Sequence, residues 1–200
     1  MRILLVNPNS TASMTETIRL SAQRVVLPQT TILARTVAGA PASIEGHADE
    51  ARAVPGLLDT IRAAEAEGAQ ATVIACFDDP GLGAAREVAR GPVLGICQAG
   101  IQVATTIAAR FSIVTTLPRS VPIIEDLVDA YGAARQCRRV RAVNLPVLAL
   151  EEDPAEAFAR LRREIRRSAE EDGAEAVLLG CAGMAEMCRD LQAETGIPVI

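Results

Sequence analysis

Residues 64–76 read A-E-A-E-G-A-Q-A-T-V-I-A-C, and residues 169–181 read A-E-E-D-G-A-E-A-V-L-L-G-C. The two stretches lie 105 positions apart at both ends, and six of the thirteen aligned residues are identical, the closing cysteine among them. Each contains a helix end, a glycine suited to cap it, a short apolar strand and then Cys76 or Cys181 at the strand's carboxyl end. Such a duplication predicts a chain of two similar halves. Halves of this kind tend to face their equivalent loops across one cleft, and two thiols meeting there would form a symmetric acid/base pair.

The same order of elements surrounds both stretches. Short β-branched runs alternate with longer helical patterns, the signature of βαβ units and a parallel sheet. In the first half, strands are predicted over 2–7, 31–37 and 71–75, with helices over about 12–26 and 48–67 and a polar loop, G-A-P-A-S-I-E-G, over 39–46. In the second half, strands are predicted over 111–115, 140–145 and 176–179, with helices over 120–131 and 154–171. A strand over 92–96 and a helix over about 99–109 lie between the halves, and the opening strands of the two halves correspond at an offset near 109. The expected fold class is α/β, with two similar Rossmann-like lobes. Their parallel sheets would be related by pseudo-two-fold symmetry, with the active site in the cleft between them. Residues 1–97 are expected to form the first lobe and 98–195 the second. The closing G-I-P-V-I at 196–200 reads as the start of another strand. It is expected to complete the first lobe together with further chain beyond it.

Composition narrows the partners. Two hundred residues, half of them hydrophobic and only 2% aromatic, suit close-packed α/β layers. The net charge of −5, with no basic stripe interleaved with aromatics, argues against nucleic acid. Arg135, Arg138, Arg139 and Arg141 cluster, as do Arg160, Arg162, Arg163, Arg166 and Arg167. Acids at helical spacing are interspersed through the second group, which therefore reads as a solvated helix face. No run has the length of a membrane span, and the apolar start is too short for a signal-peptide core, so no membrane partner is expected. Five cysteines, odd in number and widely spaced, do not form a secreted disulfide framework, which points to the cytoplasm.

In an open parallel sheet, ligands bind outside the carboxyl ends of the strands. Both Cys76 and Cys181 map there, each just before an expected helix start, where unpaired N–H groups lower a thiol pKa and hold anions. A single cysteine at a strand end is usually a small buried hydrophobe. Equivalent placement in two repeats favours function. A thiolate on one face would take a proton from an activated carbon and a thiol on the other would return one. The resulting carbanion needs N–H or hydroxyl donors for its oxyanion. Candidate donors lie in N-P-N-S-T at 7–11, with Asn9 and Ser10, and in T-T-L-P-R-S at 115–120, with Thr115 and Thr116. Helix capping is the competing role for both loops. Cys97 ends another predicted strand and could line the cleft but has no repeat partner, while Cys137 and Cys188 look weaker still. One histidine, His47, and no C-x-x-C make a zinc site improbable, and His47 lacks partners for a Cys-His pair. No glycine-rich phosphate loop is present, so no cofactor and no metal are expected.

The chain resembles the aspartate/glutamate racemase superfamily, and within it the hydantoin racemases. The residues that carry the likeness are N-P-N-S-T at 7–11, G-x-P-x-S-I-E-G at 39–46, A-C-F-x-D-P-G-L at 75–82 and G-I-C-x-A at 95–99, followed by F-S-I-V-T-T-L at 111–117, L-G-C-A-G-M at 179–184 and G-I-P-V-I at 196–200. The resemblance implies a cofactor-independent racemase of 5-monosubstituted hydantoins, with Cys76 and Cys181 as its two acid/base residues. Pro41, Ile44 and Phe77 would contact the 5-substituent, and Gly180, Ala182 and Gly183 would flank the second thiol. Asp78 stands where the family more often has a small residue, which would put a carboxylate at the cleft. The expected partners are a small-molecule substrate and further copies of the chain. Allantoin racemases look nearly identical by these motifs. An amino-acid racemase would need cations for a free carboxylate, and Arg119 is the only obvious one. A related decarboxylase would need one cysteine only, whereas a maleate-isomerase-like enzyme would use one as a covalent nucleophile. A two-lobed binding protein without chemistry is the alternative from another class.

Overall fold

The apolar run that follows Met1 becomes the inner strand of a parallel sheet. In β1 (Arg2–Asn7), Leu4, Leu5 and Val6 are consecutive and all buried, as happens when both faces of a strand are covered. The computed structural model describes all 200 residues, and the chain divides into two compact units, Met1–Ile96 and Cys97–Ile200.

The first unit continues through α1 (Ala12–Gln23), β2 (Thr31–Thr36), α2 (His47–Ala66), β3 (Ala71–Ile74), α3 (Leu82–Val88) and β4 (Val93–Gly95). Its four strands are parallel, in the order β2-β1-β3-β4. α2 buries Ala53, Leu57, Ile61 and Ala64, a stripe at three- and four-residue spacing that covers one face of the sheet. Each such leucine or isoleucine contributes about 1.5–3 kcal/mol on burial.

The second unit holds α4 (Ile96–Ile107), β5 (Phe111–Thr115), α5 (Val121–Ala130), β6 (Cys137–Ala142), α6 (Ala149–Glu152), α7 (Pro154–Asp172), β7 (Ala176–Leu179) and α8 (Cys188–Thr195). Its sheet, β6-β5-β7, is again parallel. The α/β class with two similar parallel-sheet units is thus present. Leu161 and Ile165 of α7 pack on Val114, Val177 and Leu179 in the core of this unit. Asp153 caps α7, accepting the Glu156 N–H at 3.1 Å. No helix is long and apolar enough to cross a membrane.

The duplication is visible bond by bond. Gln70 N–H donates to Arg2 O at 2.8 Å, and Glu175 N–H donates to Arg110 O at 2.9 Å. The Gln70 side chain also accepts the Arg2 N–H, as the Glu175 side chain accepts the N–H of Ala109. The residue before β3 or β7 thus ties down the start of the inner strand in both units. The backbone bonds match Arg2 with Arg110, an offset of 108.

Several element ends differ from expectation, each for a local reason. α1 stops at Gln23 because a valine pair and Pro28 follow. β6 begins at Cys137 and ends before Asn144, whose φ of 56° is left-handed. The arginines at 138 and 139 hide this edge strand from a hydropathy reading. Residues 196–200 were expected to join the first lobe but run beside β7 instead. Val199 bridges Val177, and Leu179 N–H donates to Ile200 O at 2.8 Å. α7 carries its arginines mostly in solvent, with Arg160 on Glu156 and Arg167 on Glu171. Arg141, grouped by sequence with its surface neighbours, is instead buried between β6 and α7.

Candidate active site

Each cysteine opens a tight turn at the carboxyl end of a strand. Past β3, Ala75 N–H donates to Val6 O at 2.9 Å, and Cys76 O accepts the Asp79 N–H at 3.1 Å. Past β7, Gly180 N–H donates to Val114 O at 2.8 Å, and Cys181 O accepts the Met184 N–H at 3.0 Å. Ala75, Cys76 and Asp79 lie 105 residues before Gly180, Cys181 and Met184, so one turn is built twice. The closing bonds span Phe77 and Asp78 in the first turn, and Ala182 and Gly183 in the second. Both thiols are half-buried. Gly180 is required where it stands, because a Cβ there would come within 2.9 Å of the Thr115 Cβ.

Beyond the turns the surroundings diverge. Cys181 leads directly into a 3₁₀ helix, Ala182–Met187, and so sits at a helical N-terminus as expected. Cys76 does not. Residues 77–81 separate it from α3, because Asp79 adopts a left-handed φ of 43° and precedes Pro80, which disfavours helix at that point. The first turn is acidic. Asp79 is buried with its carboxylate over Gly95, where any Cβ would collide with it. Asp78 is also buried. Burial, then the nearby charges of Glu50 and Asp79, push its carboxyl up to about 7.

The loop 7–11 is wired internally. Asn7 Nδ2 donates to Asn9 Oδ1 at 2.7 Å and to Thr15 Oγ1 at 3.0 Å, while Asn9 Oδ1 also accepts the Thr11 N–H at 2.9 Å. Its outer side is fastened to the loop 39–46. Ser10 N–H donates to Pro41 O at 2.9 Å, and Thr11 Oγ1 donates to Ala42 O at 2.7 Å. The Thr11 hydroxyl therefore joins loop to loop and does not cap α1. Ser10 is exposed, Pro41 is half-buried, and Asn9, Ile44 and Phe77 are buried. In the second unit Thr115 and Thr116 are both buried, and Thr115 Oγ1 donates to Gly180 O at 3.1 Å, so its proton is already engaged.

The other sequence candidates separate from these turns. Cys97 lies on α4, which starts immediately after β4, and it is fully buried. Burial raises the Cys137 thiol to about 12. Burial also raises that of Cys188, whose Sγ contacts Val199 O at 3.1 Å. His47 is exposed, with Nδ1 3.2 Å from a Glu50 carboxylate oxygen. Arg119 is exposed. Sequence reasoning missed Glu50 and Asp79. The doublet D-D-P after Cys76 signals a turn, but nothing in the chain order signals that the charge of Glu50, in the first turn of α2, acts on Asp78.

The family model described as Asp/Glu/Hydantoin racemase matches residues 3–200. The chain belongs to this family. A hydantoin racemase of Rhizobium meliloti is 63% identical over the whole chain and 83% of the relative's length, and one of Pseudomonas sp. (strain NS671) is 46% identical over the whole chain and 80% of its length. Among solved structures, an allantoin racemase from Klebsiella pneumoniae superposes with a TM-score of 0.97 at 47% identity, covering all of this chain and 82% of the other. This racemase-family chain is accordingly an isomerase, which sets aside the reading as a binding protein without chemistry.

Proposed function

We propose that the protein racemises 5-monosubstituted hydantoins by two-base proton transfer at C5, with Cys76 and Cys181 as the acid/base pair and no cofactor. The observation that carries this reading is the repeated turn. Each unit presents a half-buried thiol at the same bond of the same turn, beyond equivalent strands. The C5–H of a hydantoin lies beside a ring carbonyl. When one thiolate removes this proton, the electron pair delocalises into that carbonyl as an enolate. The other thiol then delivers its proton to the opposite face of C5, the enolate returns to the carbonyl, and the two sulfurs have exchanged protonation states. The N–H groups of Phe77, Asp78, Ala182 and Gly183 are the proposed donors to the developing oxyanion. Asn9, Ser10, Thr115 and Thr116 would frame the ring, and Pro41, Ile44 and Phe77 the substituent.

The higher identity to the Rhizobium hydantoin racemase than to the Klebsiella allantoin racemase supports hydantoins as substrates. Allantoin is itself a hydantoin carrying a ureido group at C5, and the TM-score of 0.97 supports it as the second reading. Polarimetry on a pure 5-substituted hydantoin in heavy water tests both. Rotation is expected to decay to zero with deuterium entering C5, and a panel containing allantoin ranks the substrates. If Cys76→Ser and Cys181→Ser both retain full inversion, the two-base assignment is wrong.

A further inference from the structure

The two cysteine turns carry the same backbone bonds, but the peptide that leads into each cysteine is held by different means. Gly180 is equivalent to Ala75 and Thr115 to Asn7, since Gly180 N–H donates to Val114 O as Ala75 N–H donates to Val6 O. In the first unit the residue before the cysteine has a Cβ, which restricts its own backbone. The Asn7 side chain is engaged within its loop and helix, donating to Asn9 Oδ1 at 2.7 Å, Thr11 O at 3.2 Å and Thr15 Oγ1 at 3.0 Å.

In the second unit a Cβ at position 180 would lie 2.9 Å from the Thr115 Cβ and 3.2 Å from its Oγ1, so glycine is required. Glycine leaves the peptide that follows it the freest to rotate. The Thr115 hydroxyl removes that freedom. Thr115 is buried at the end of β5, where Val143 N–H fastens its carbonyl at 2.9 Å, and its Oγ1 donates to Gly180 O at 3.1 Å. Gly180 O and Cys181 N lie in one planar peptide, so holding the oxygen fixes the direction in which Cys181 leaves β7.

We propose that Thr115 is a positioning residue for Cys181, aiming its sulfur at C5 through the Gly180 carbonyl, whereas Cys76 is aimed by the stiffer backbone of Ala75. This inference rests on the reading of Cys76 and Cys181 as the two bases of a hydantoin racemase. Under that reading Cys181 takes the C5 proton of one enantiomer and delivers a proton when the other is the substrate. Misplacing Cys181 alone therefore raises one of the two proton-transfer barriers and leaves the other as it was.

Primary deuterium isotope effects on kcat/KM, measured from each enantiomer of a 5-deuterated hydantoin, read the two barriers separately. Thr115→Val, which removes only the hydroxyl, should lower kcat/KM by about ten- to a hundredfold. The loss is equal from either enantiomer, because racemisation has an equilibrium constant of one. The isotope effect should rise for the enantiomer that Cys181 deprotonates and fall towards unity for the other. Cys181→Ser identifies the first enantiomer, as the one whose C5 hydrogen no longer exchanges. Thr115→Ser, which keeps the hydroxyl, should restore both the rate and the wild-type isotope effects. Isotope effects in Thr115→Val unchanged from the wild type overturn the proposal whatever the rate, since a smaller folded fraction slows catalysis without moving them. A shift of the opposite sense, or no rescue by Thr115→Ser, overturns it too. Should Thr115→Val not fold by circular dichroism, Thr115→Ala is read by the same criteria. If the wild type racemises no hydantoin, the reading beneath the proposal falls, an outcome distinct from racemisation with unmoved isotope effects.

Discussion

The ion pair Arg35–Glu67 in the first unit and the pair Arg141–Asp172 in the second are one contact made twice. Glu67 and Asp172 lie 105 residues apart, each at the end of the helix that precedes β3 or β7, and each reaches an arginine on the strand beside the inner one. The distances are alike, 2.6 and 2.7 Å. The surroundings are not. Arg35 and Glu67 are 41% and 49% exposed, whereas Arg141 and Asp172 are both 5% exposed and are joined by Glu171, Glu164 and the Ser112 hydroxyl. Burial raises the pKa of Asp172, but the Arg141 hydrogen bonds and charge more than offset this and leave its carboxyl below the ordinary value. The duplicated framework repeats its contacts, and burial decides what each copy is worth. The cysteine turns teach the same lesson, with identical backbone bonds around an acidic neighbourhood in one copy and a helical N-terminus in the other.

The strongest way to break the symmetry is at the sulfurs. Cys76→Ser or Cys181→Ser alone should lower the racemisation rate by about a thousandfold, within the range of a lost acid/base group. Each should leave hydrogen exchange at C5 for one enantiomer only, read by mass spectrometry in heavy water. Next in size is Arg141→Met, which strands buried carboxylates and should cost about 3–5 kcal/mol in urea unfolding. The Asp78 carboxyl moves from 3.8 to about 7 on folding, so the native state binds more protons between those values. Its stabilising effect is complete below the lower value and is lost as pH rises through the upper one. Asp78→Asn should therefore gain stability over the wild type by about 2 kcal/mol more at pH 8 than at pH 5.5, measured as the difference in denaturant midpoints. Gly180→Ala makes the second turn match Ala75 of the first, yet it should cost about 1–3 kcal/mol because the methyl meets Thr115. Arg35→Ala, the exposed counterpart of Arg141, should change stability by about 0–1 kcal/mol.

The repeat made the alternation of strands and helices readable from the sequence, because the inner strands are continuous apolar runs and the helices keep their apolar spacing. Both cysteines could be placed at strand ends for the same reason. What escaped reading depends on tertiary surroundings. Nothing in C-R-R-V-R-A separates Arg141, which is buried, from Arg138 and Arg139, which are not. Cys97 looked like a strand end because V-L-G-I is apolar, but β4 stops at Gly95 and the helix starts at once. The left-handed Asp79 likewise delays α3, an outcome the D-P dipeptide hints at but does not fix.

The loop 39–46 is stapled to its neighbour by the Ser10 amide and the Thr11 hydroxyl before any ligand arrives. Backbone held in this way has little conformational freedom left to surrender on association, so the entropic penalty of ordering a mobile segment is largely absent. Thr11→Val, which leaves the Ser10 amide bond in place, loosens this fastening and returns part of that entropic penalty to any association at the loop.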